Sequence, residues 1–205
     1  MDMEILLSVL LFALVSTITP GPNNIMVMTS GMNFGVCWRT LPHYLGICIG
    51  FPAMVVAISL GLGQVFEAVP QLHQIVKILG ISYLIYLAWR IATTATELKG
   101  EKTGQPLSFW QAAAFQWVNP KAWVMAIGAL ATFTTVNGEV LQQALWIGVA
   151  FGLVAVPCVG SWMLGGAGLR QLLTKPLYRR LFNWTMGILL ALSVIPMVSV
   201  ELAAL

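Results

Sequence analysis

The sequence predicts an all-α integral membrane protein of six transmembrane helices. They form two inverted three-helix repeats, with the first helix of each half broken. Three observations lead there. Of 205 residues, 59% are hydrophobic and only 8% charged, and mean hydropathy is +0.86, whereas soluble domains carry roughly 25% charged residues. Six apolar runs, 5–32, 41–63, 72–95, 107–133, 141–165 and 182–204, are each long enough to cross a bilayer. Finally, prolines interrupt the first run of each half, Pro20 and Pro120, 100 residues apart.

In the first run, Thr19-Pro20-Gly21-Pro22-Asn23-Asn24 sits between long apolar flanks. One straight helix of this length would reach about 42 Å, more than the ~30 Å hydrocarbon core requires. Pro20 and Pro22 lack a backbone N–H and disfavour helical geometry in the residue before each. A broken membrane helix is therefore expected, its unpaired backbone lining a polar cavity or buried in protein. Run 107–133 repeats the pattern at Asn119-Pro120-Lys121. In both breaks a proline suits the first helical position, after Gly21 or Asn119 as the cap. Each new half-helix would aim free N–H groups and partial positive charge inward, where a carboxylate binds well. The plainer alternative is two proline kinks; the flanking Asn23, Asn24, Gln116 and Asn119 favour a site.

The second and fifth runs carry small residues at spacings of three and four: Gly46, Gly50, Ala53, Ala57 and Gly61, then Ala144, Gly148, Gly152 and Ala155. Such stripes let helices pack closely, within one chain or between two copies. On the third run, Tyr83, Tyr86 and Arg90 share a face, and Arg90 with Trp89 is expected to anchor the helix end at the interface. His43 and His73 lie near run starts, where an interfacial role is expected rather than proton relay or metal binding. Cys37, Cys48 and Cys158 form no even framework and read as small apolar fillers.

The hydrophilic segment 96–106 divides the chain into halves 1–95 and 107–205 of one membrane domain. Arg39, Arg90, Lys99, Lys102, Arg170, Lys175, Arg179 and Arg180 all fall on connections of one face; the other face has Lys77 alone. By the positive-inside bias, the basic face is cytoplasmic and both termini are periplasmic. Three runs per half make any internal repeat an inverted one, a plan common among transporters. The N-terminus lacks a basic signal region, so Ile5 onward reads as a retained span.

Lys121 is the one ionisable residue well inside an apolar run, a placement costing at least about 2.5 kcal/mol. It would hold an anionic ligand or exchange a proton; the competing reading is snorkelling to an interface. No acid–base pair, nucleophile triad, Walker A sequence or metal-ligand cluster stands in the runs. The expectation is therefore no enzyme, no cofactor and no metal, and the net charge of +3 gives no reason to expect nucleic acid.

Thr19-Pro20-Gly21-Pro22-Asn23, Leu45-Gly46-Ile47 with Gly50-Phe51, Gly80-Ile81-Ser82-Tyr83-Leu84 with Leu87-Ala88-Trp89, and Phe115-Gln116-Trp117-Val118-Asn119-Pro120-Lys121 together resemble the LysE/RhtB family of amino-acid exporters. Members of its homoserine/threonine and cysteine/O-acetylserine branches are similar in length. The resemblance implies a bacterial inner-membrane protein exporting a small amino acid or derivative, driven by the proton gradient. It selects no substrate and identifies no proton carrier; Lys121 or the substrate itself would have to serve. The implied site lies between the breaks shaped by Thr19, Pro20, Gly21, Pro22 and Pro120. There Lys121 and the half-helix ends would meet the carboxylate, and oxygens from Asn23, Asn24, Gln116 or Asn119 the amino group. Expected partners are the amino acid, protons, the lipid bilayer and a second copy docked through the glycine faces. Rival readings are a passive channel, a metal-ion exporter or a non-transporting membrane subunit.

Overall fold

A computed structural model of the protein describes residues 3–62, 70–94, 105–134 and 139–195. Positions 96–104 of the expected linker 96–106, the connections at 64–69 and 137–138, the chain beyond 195 and the side chains of His73 and Lys77 lie outside the described residues. The described residues are helical, without a strand.

Helix α1 (Met3–Ile18) stops at the Thr19-Pro20 break, and α2 (Pro22–Phe34) restarts at an angle of 58° to it. Pro22 occupies the first turn of α2, where its missing N–H is no loss. Gly35, at φ 77°, ends α2 with its N–H donating to Gly31 O at 2.8 Å. That left-handed conformation favours glycine. Helix α3 (Leu41–Ala57) runs into a π-helical turn, Ile58–Leu62. Next come α4 (Pro70–Ala92) and the short α5 (Phe109–Phe115), which begins with a reciprocal capping box between Ser108 and Gln111. A tight 3-10 turn (Gln116–Val118) leads to Asn119, which caps α6 (Pro120–Phe133). Last are α7 (Val140–Leu172) and α8 (Pro176–Leu192).

Leu41–Gly61 and Val140–Leu172 are each long and apolar enough to cross a bilayer, and α1 with α2 meets the same test as a bent pair. Helix α6 and the Ile78–Ala92 part of α4 are apolar but shorter. Large hydrophobic side chains cover the outside, among them Leu7, Leu11, Ile78, Val124 and Leu153. This is the surface that lipid rather than water would match.

Two boundaries differ from expectation. The stretch between the runs 141–165 and 182–204 is largely helix, because α7 continues to Leu172 and α8 starts at Pro176. Gly165, Gly166 and Gly168 do not end α7. Gly166 instead lets its backbone approach α2: a Cβ there would stand 2.0 Å from Met28 O. Arg179 lies in α8, its guanidinium donating to Leu173 O (2.8 Å) and Arg170 O (3.3 Å) at the end of α7.

The small-residue stripes are used inside the chain. Cβ atoms at Gly46 and Gly50 would stand 2.5 Å from Phe109 O and 2.7 Å from the Ala113 Cα of α5. A Cβ at Gly148 or Gly152 would stand 3.4 Å from Pro52 of α3, ordinary van der Waals contact. These four glycines therefore face neighbouring helices of their own chain, whereas Ala53 of the same stripe is exposed and a Cβ at Gly61 would meet nothing within 4 Å among the described residues.

Candidate functional site

Both breaks open onto one cavity of about 40 Å³, room for a few water-sized groups. From the first break it is lined by Ser16, Thr17, Gly21, Asn23 and Asn24, and from the second by Asn119, Lys121 and Ala122. Ile47 and Phe51 of α3 with Phe151, Ala155 and Val159 of α7 form an apolar wall. No acidic side chain among the described residues lines it.

The first break is tolerated because its carbonyls are taken up by side chains. Ser16 O accepts from Thr19 Oγ1 at 2.9 Å. Thr17 O and Thr19 O both accept from Asn24 Nδ2 at 2.8 Å. Ile18 O accepts from Trp162 Nε1 of α7 at 3.0 Å. Lys121 Nζ then donates to Thr19 O (2.7 Å), Thr19 Oγ1 (2.8 Å) and Pro20 O (3.3 Å). An ammonium at the carbonyl end of α1 is favoured by the helix dipole as well as by these bonds. Lys121 therefore reaches across to the other break instead of extending toward an interface.

The donor end of α2 is in the opposite condition. Gly21 offers no side-chain cap, so the first N–H groups of α2 have no capping side chain. The second break differs: Asn119 Oδ1 accepts from Lys121 N at 3.2 Å, closing part of the α6 terminus. Gly21 is extended (φ −174°), so no left-handed strain requires glycine there. Room does: a Cβ would stand 2.7 Å from Lys121 Cδ and 3.2 Å from its Nζ.

The residues singled out from the sequence thus divide by what they touch. Gly21, Asn23, Asn24, Asn119 and Lys121 reach the cavity. Thr19 and Pro20 supply the oxygens that hold Lys121, while Pro22 and Pro120 start the half-helices. Gln116 is fully buried and does not line the cavity. It exchanges amide bonds with Asn23 (2.9 and 3.3 Å) and donates to Ala112 O at 2.9 Å, strapping the two breaks together. Sequence reasoning missed Ser16, Thr17 and the apolar wall, whose side chains are ordinary for a membrane helix.

His43 corrects another expectation. It is 1% exposed, not interfacial, and packs between α2 and α3 with Nδ1 2.9 Å from Ser30 Oγ. Its place near the start of a run suggested the interface; in space, the ring is buried and meets Ser30 of α2. Arg90 lines a second cavity, its guanidinium carbon 5.8 Å from the centre of the Tyr86 ring.

Comparison with known proteins gives the same direction. The chain is 29% identical over 181 residues to the cysteine/O-acetylserine efflux protein of Escherichia coli O1:K1, covering 87% of this chain and 90% of that one. It is 30% identical over 184 residues to the cysteine/O-acetylserine efflux protein of Klebsiella pneumoniae, covering 88% and 90%. No solved structure matches the chain. The family model described as LysE type translocator matches residues 14–198, and the chain belongs to that family, a transporter and not an enzyme.

Proposed function

We propose that the protein is a bacterial inner-membrane secondary transporter that exports a small neutral amino acid or derivative, using the proton gradient. One observation carries the reading: Lys121, an ammonium with no acidic partner in its cavity, lies beside the uncapped N-terminus of α2. Two positive features at one polar point inside an apolar chain suit a carboxylate. When a substrate carboxylate arrives, Lys121 Nζ and the α2 N–H groups hold it. Asn24 and the hydroxyls of Ser16 and Thr17 offer oxygens to its amino group. The wall of Ile47, Phe51, Phe151 and Ala155 favours a short uncharged side chain over a charged one. Relatives named for cysteine and O-acetylserine efflux make those two compounds the first to test.

In this reading the chain crosses the membrane six times, as inverted halves 1–95 and 107–205 joined by a cytoplasmic linker at 96–106, with both termini periplasmic. The helix pairing supports it. Packing of α1 on α7 is matched by α5 on α3, and α3 with α7 and α4 with α8 map onto themselves when the halves are exchanged; the extensive packing of α2 on α7 has only a slight counterpart in α6 on α3. Protons would be carried by Lys121 or by the substrate.

The test is export of a panel of labelled amino acids from cells with and without the protein, with an uncoupler as control. Lys121→Ala and Pro22→Ala should abolish export while the protein still inserts. Unchanged accumulation inside cells bearing both variants would contradict the proposal. Proton-dependent counterflow in vesicles separates it from a passive channel.

A further inference from the structure

A second cavity, about 60 Å³, lies toward the other end of α2. Thr29, Ser30 and Asn33 of α2, His43 of α3 and Arg90 of α4 give it polar walls. His43 Nε2 is buried with no hydrogen-bond partner, alone among the buried side-chain nitrogens and oxygens of the described residues. Ser30 engages the other ring nitrogen. With the serine hydroxyl donating, Nε2 carries the hydrogen and is an unspent donor. A buried donor left unpaired is unfavourable, so its persistence calls for a partner that comes and goes. The Arg90 guanidinium carbon lies 5.8 Å from the centre of the Tyr86 ring, within cation–π range. No acidic side chain among the described residues lines this cavity.

The two cavities lie along the same two helices, α2 and α3, without a lining residue in common. His43, Ile47 and Phe51 recur every fourth residue along one face of α3; the first lines the second cavity, and the other two line the Lys121 cavity. On α2, Asn24 and Ser30 are six residues apart, about 9 Å of helical rise. Met26 and Ile47, both buried in one apolar cluster, stand at the boundary.

We infer that the second cavity is a loading site, in which Arg90 and the His43 ring N–H hold the carboxylate of the amino acid before it passes along α2 to Lys121. The inference rests on the export reading above and adds to it a place of first contact. Arg90 brings a fork of donors suited to two carboxylate oxygens, and His43 a single donor from the opposite helix.

The test uses the full chain in inside-out membrane vesicles, with initial uptake of labelled cysteine and O-acetylserine measured against concentration. Arg90→Gln and His43→Gln should each raise KM about tenfold and leave the maximal rate within about twofold, the signature of lost binding without lost translocation. Lys121→Gln should instead collapse the maximal rate. An unchanged KM in both variants overturns the loading site while leaving export by the wild-type protein intact. A fallen maximal rate at constant KM also overturns it, in favour of a conformational role. Wild-type vesicles that take up no member of the labelled amino-acid panel beyond protein-free controls would remove the export reading and the loading site together. Should His43→Gln be lost from the membrane, Arg90→Gln, altered at a partly buried side chain, decides alone.

Discussion

A methyl group at Gly21 would collide with the aliphatic tail of Lys121, not with backbone. The backbone tolerates alanine there, so Gly21→Ala should insert and fold normally while pushing the ammonium off Thr19 and Pro20. Export should fall at least about tenfold, the scale expected when a group that positions substrate is misplaced; normal export with normal protein levels would show that the lysine pose is dispensable. Gln116 makes the opposite case. Gln116→Ala leaves the Asn23 amide without its partner and should cost about 1–3 kcal/mol of stability. Thermal unfolding in detergent would show a lower midpoint, while the ranking of transported amino acids stays the same. A changed ranking with an unchanged midpoint would make Gln116 a substrate contact after all. At this scale the sequence marked the right polar residues around the breaks. It left open which amides bond to one another, because that depends on contacts across 93 positions of chain.

Among the elements, the tightest approach is that of α2 to α7. A Cβ at Gly31 would stand 2.1 Å from Met163 O, and one at Gly166 2.0 Å from Met28 O. Both obstacles are backbone, which cannot swing aside, so Gly31→Ala and Gly166→Ala must separate the helices. Either should remove most of the folded protein, read as the loss of a monodisperse peak in fluorescence-detected size exclusion. Gly165→Ala and Gly168→Ala, where nothing lies within 4 Å, are the controls on the same helix and should be nearly neutral. Equal yields from all four would mean that this crossing adds little to assembly. The breaks at Pro20 and Pro120 could be foreseen because a missing N–H acts locally. The α2–α7 contact could not: Gly31 and Gly166 belong to neither small-residue stripe, and the glycines at 165–168 read as a separator. The last helix begins before its apolar run for a similar reason. Tyr178, Arg179 and Arg180 look like loop, yet Pro176 starts a helix there and Arg179 caps α7.

For the whole molecule, the basic connections can be placed by their contacts. Gly35, after α2, lies against Arg170 at the end of α7: a Cβ there would be 2.7 Å from its Nη1. Asn33 and Asn183 exchange amide bonds at 3.1 and 3.3 Å, and Asn183 reaches Thr94 O, beyond α4, at 3.5 Å. The ends of α2, α4 and α7 and the start of α8 therefore gather on one face, the grouping that the arginine and lysine count implied. If that face is cytoplasmic, the orientation has a direct consequence for reporter fusions. Alkaline phosphatase fused after Leu205 should be active because it folds in the periplasm, and the same enzyme fused at Lys99 should be inactive. A fluorescent protein that matures only in the cytoplasm should give the reverse pair. Removing positive charge should then weaken the bias: replacing Arg170, Lys175, Arg179 and Arg180 together with glutamine is expected to lower phosphatase activity at Leu205, since the loop they belong to loses its preference for the cytoplasmic side. An active fusion at Lys99 beside a silent one at Leu205 would invert the molecule. It would also turn the His43–Arg90 cavity toward the periplasm, making it a place of release instead of loading.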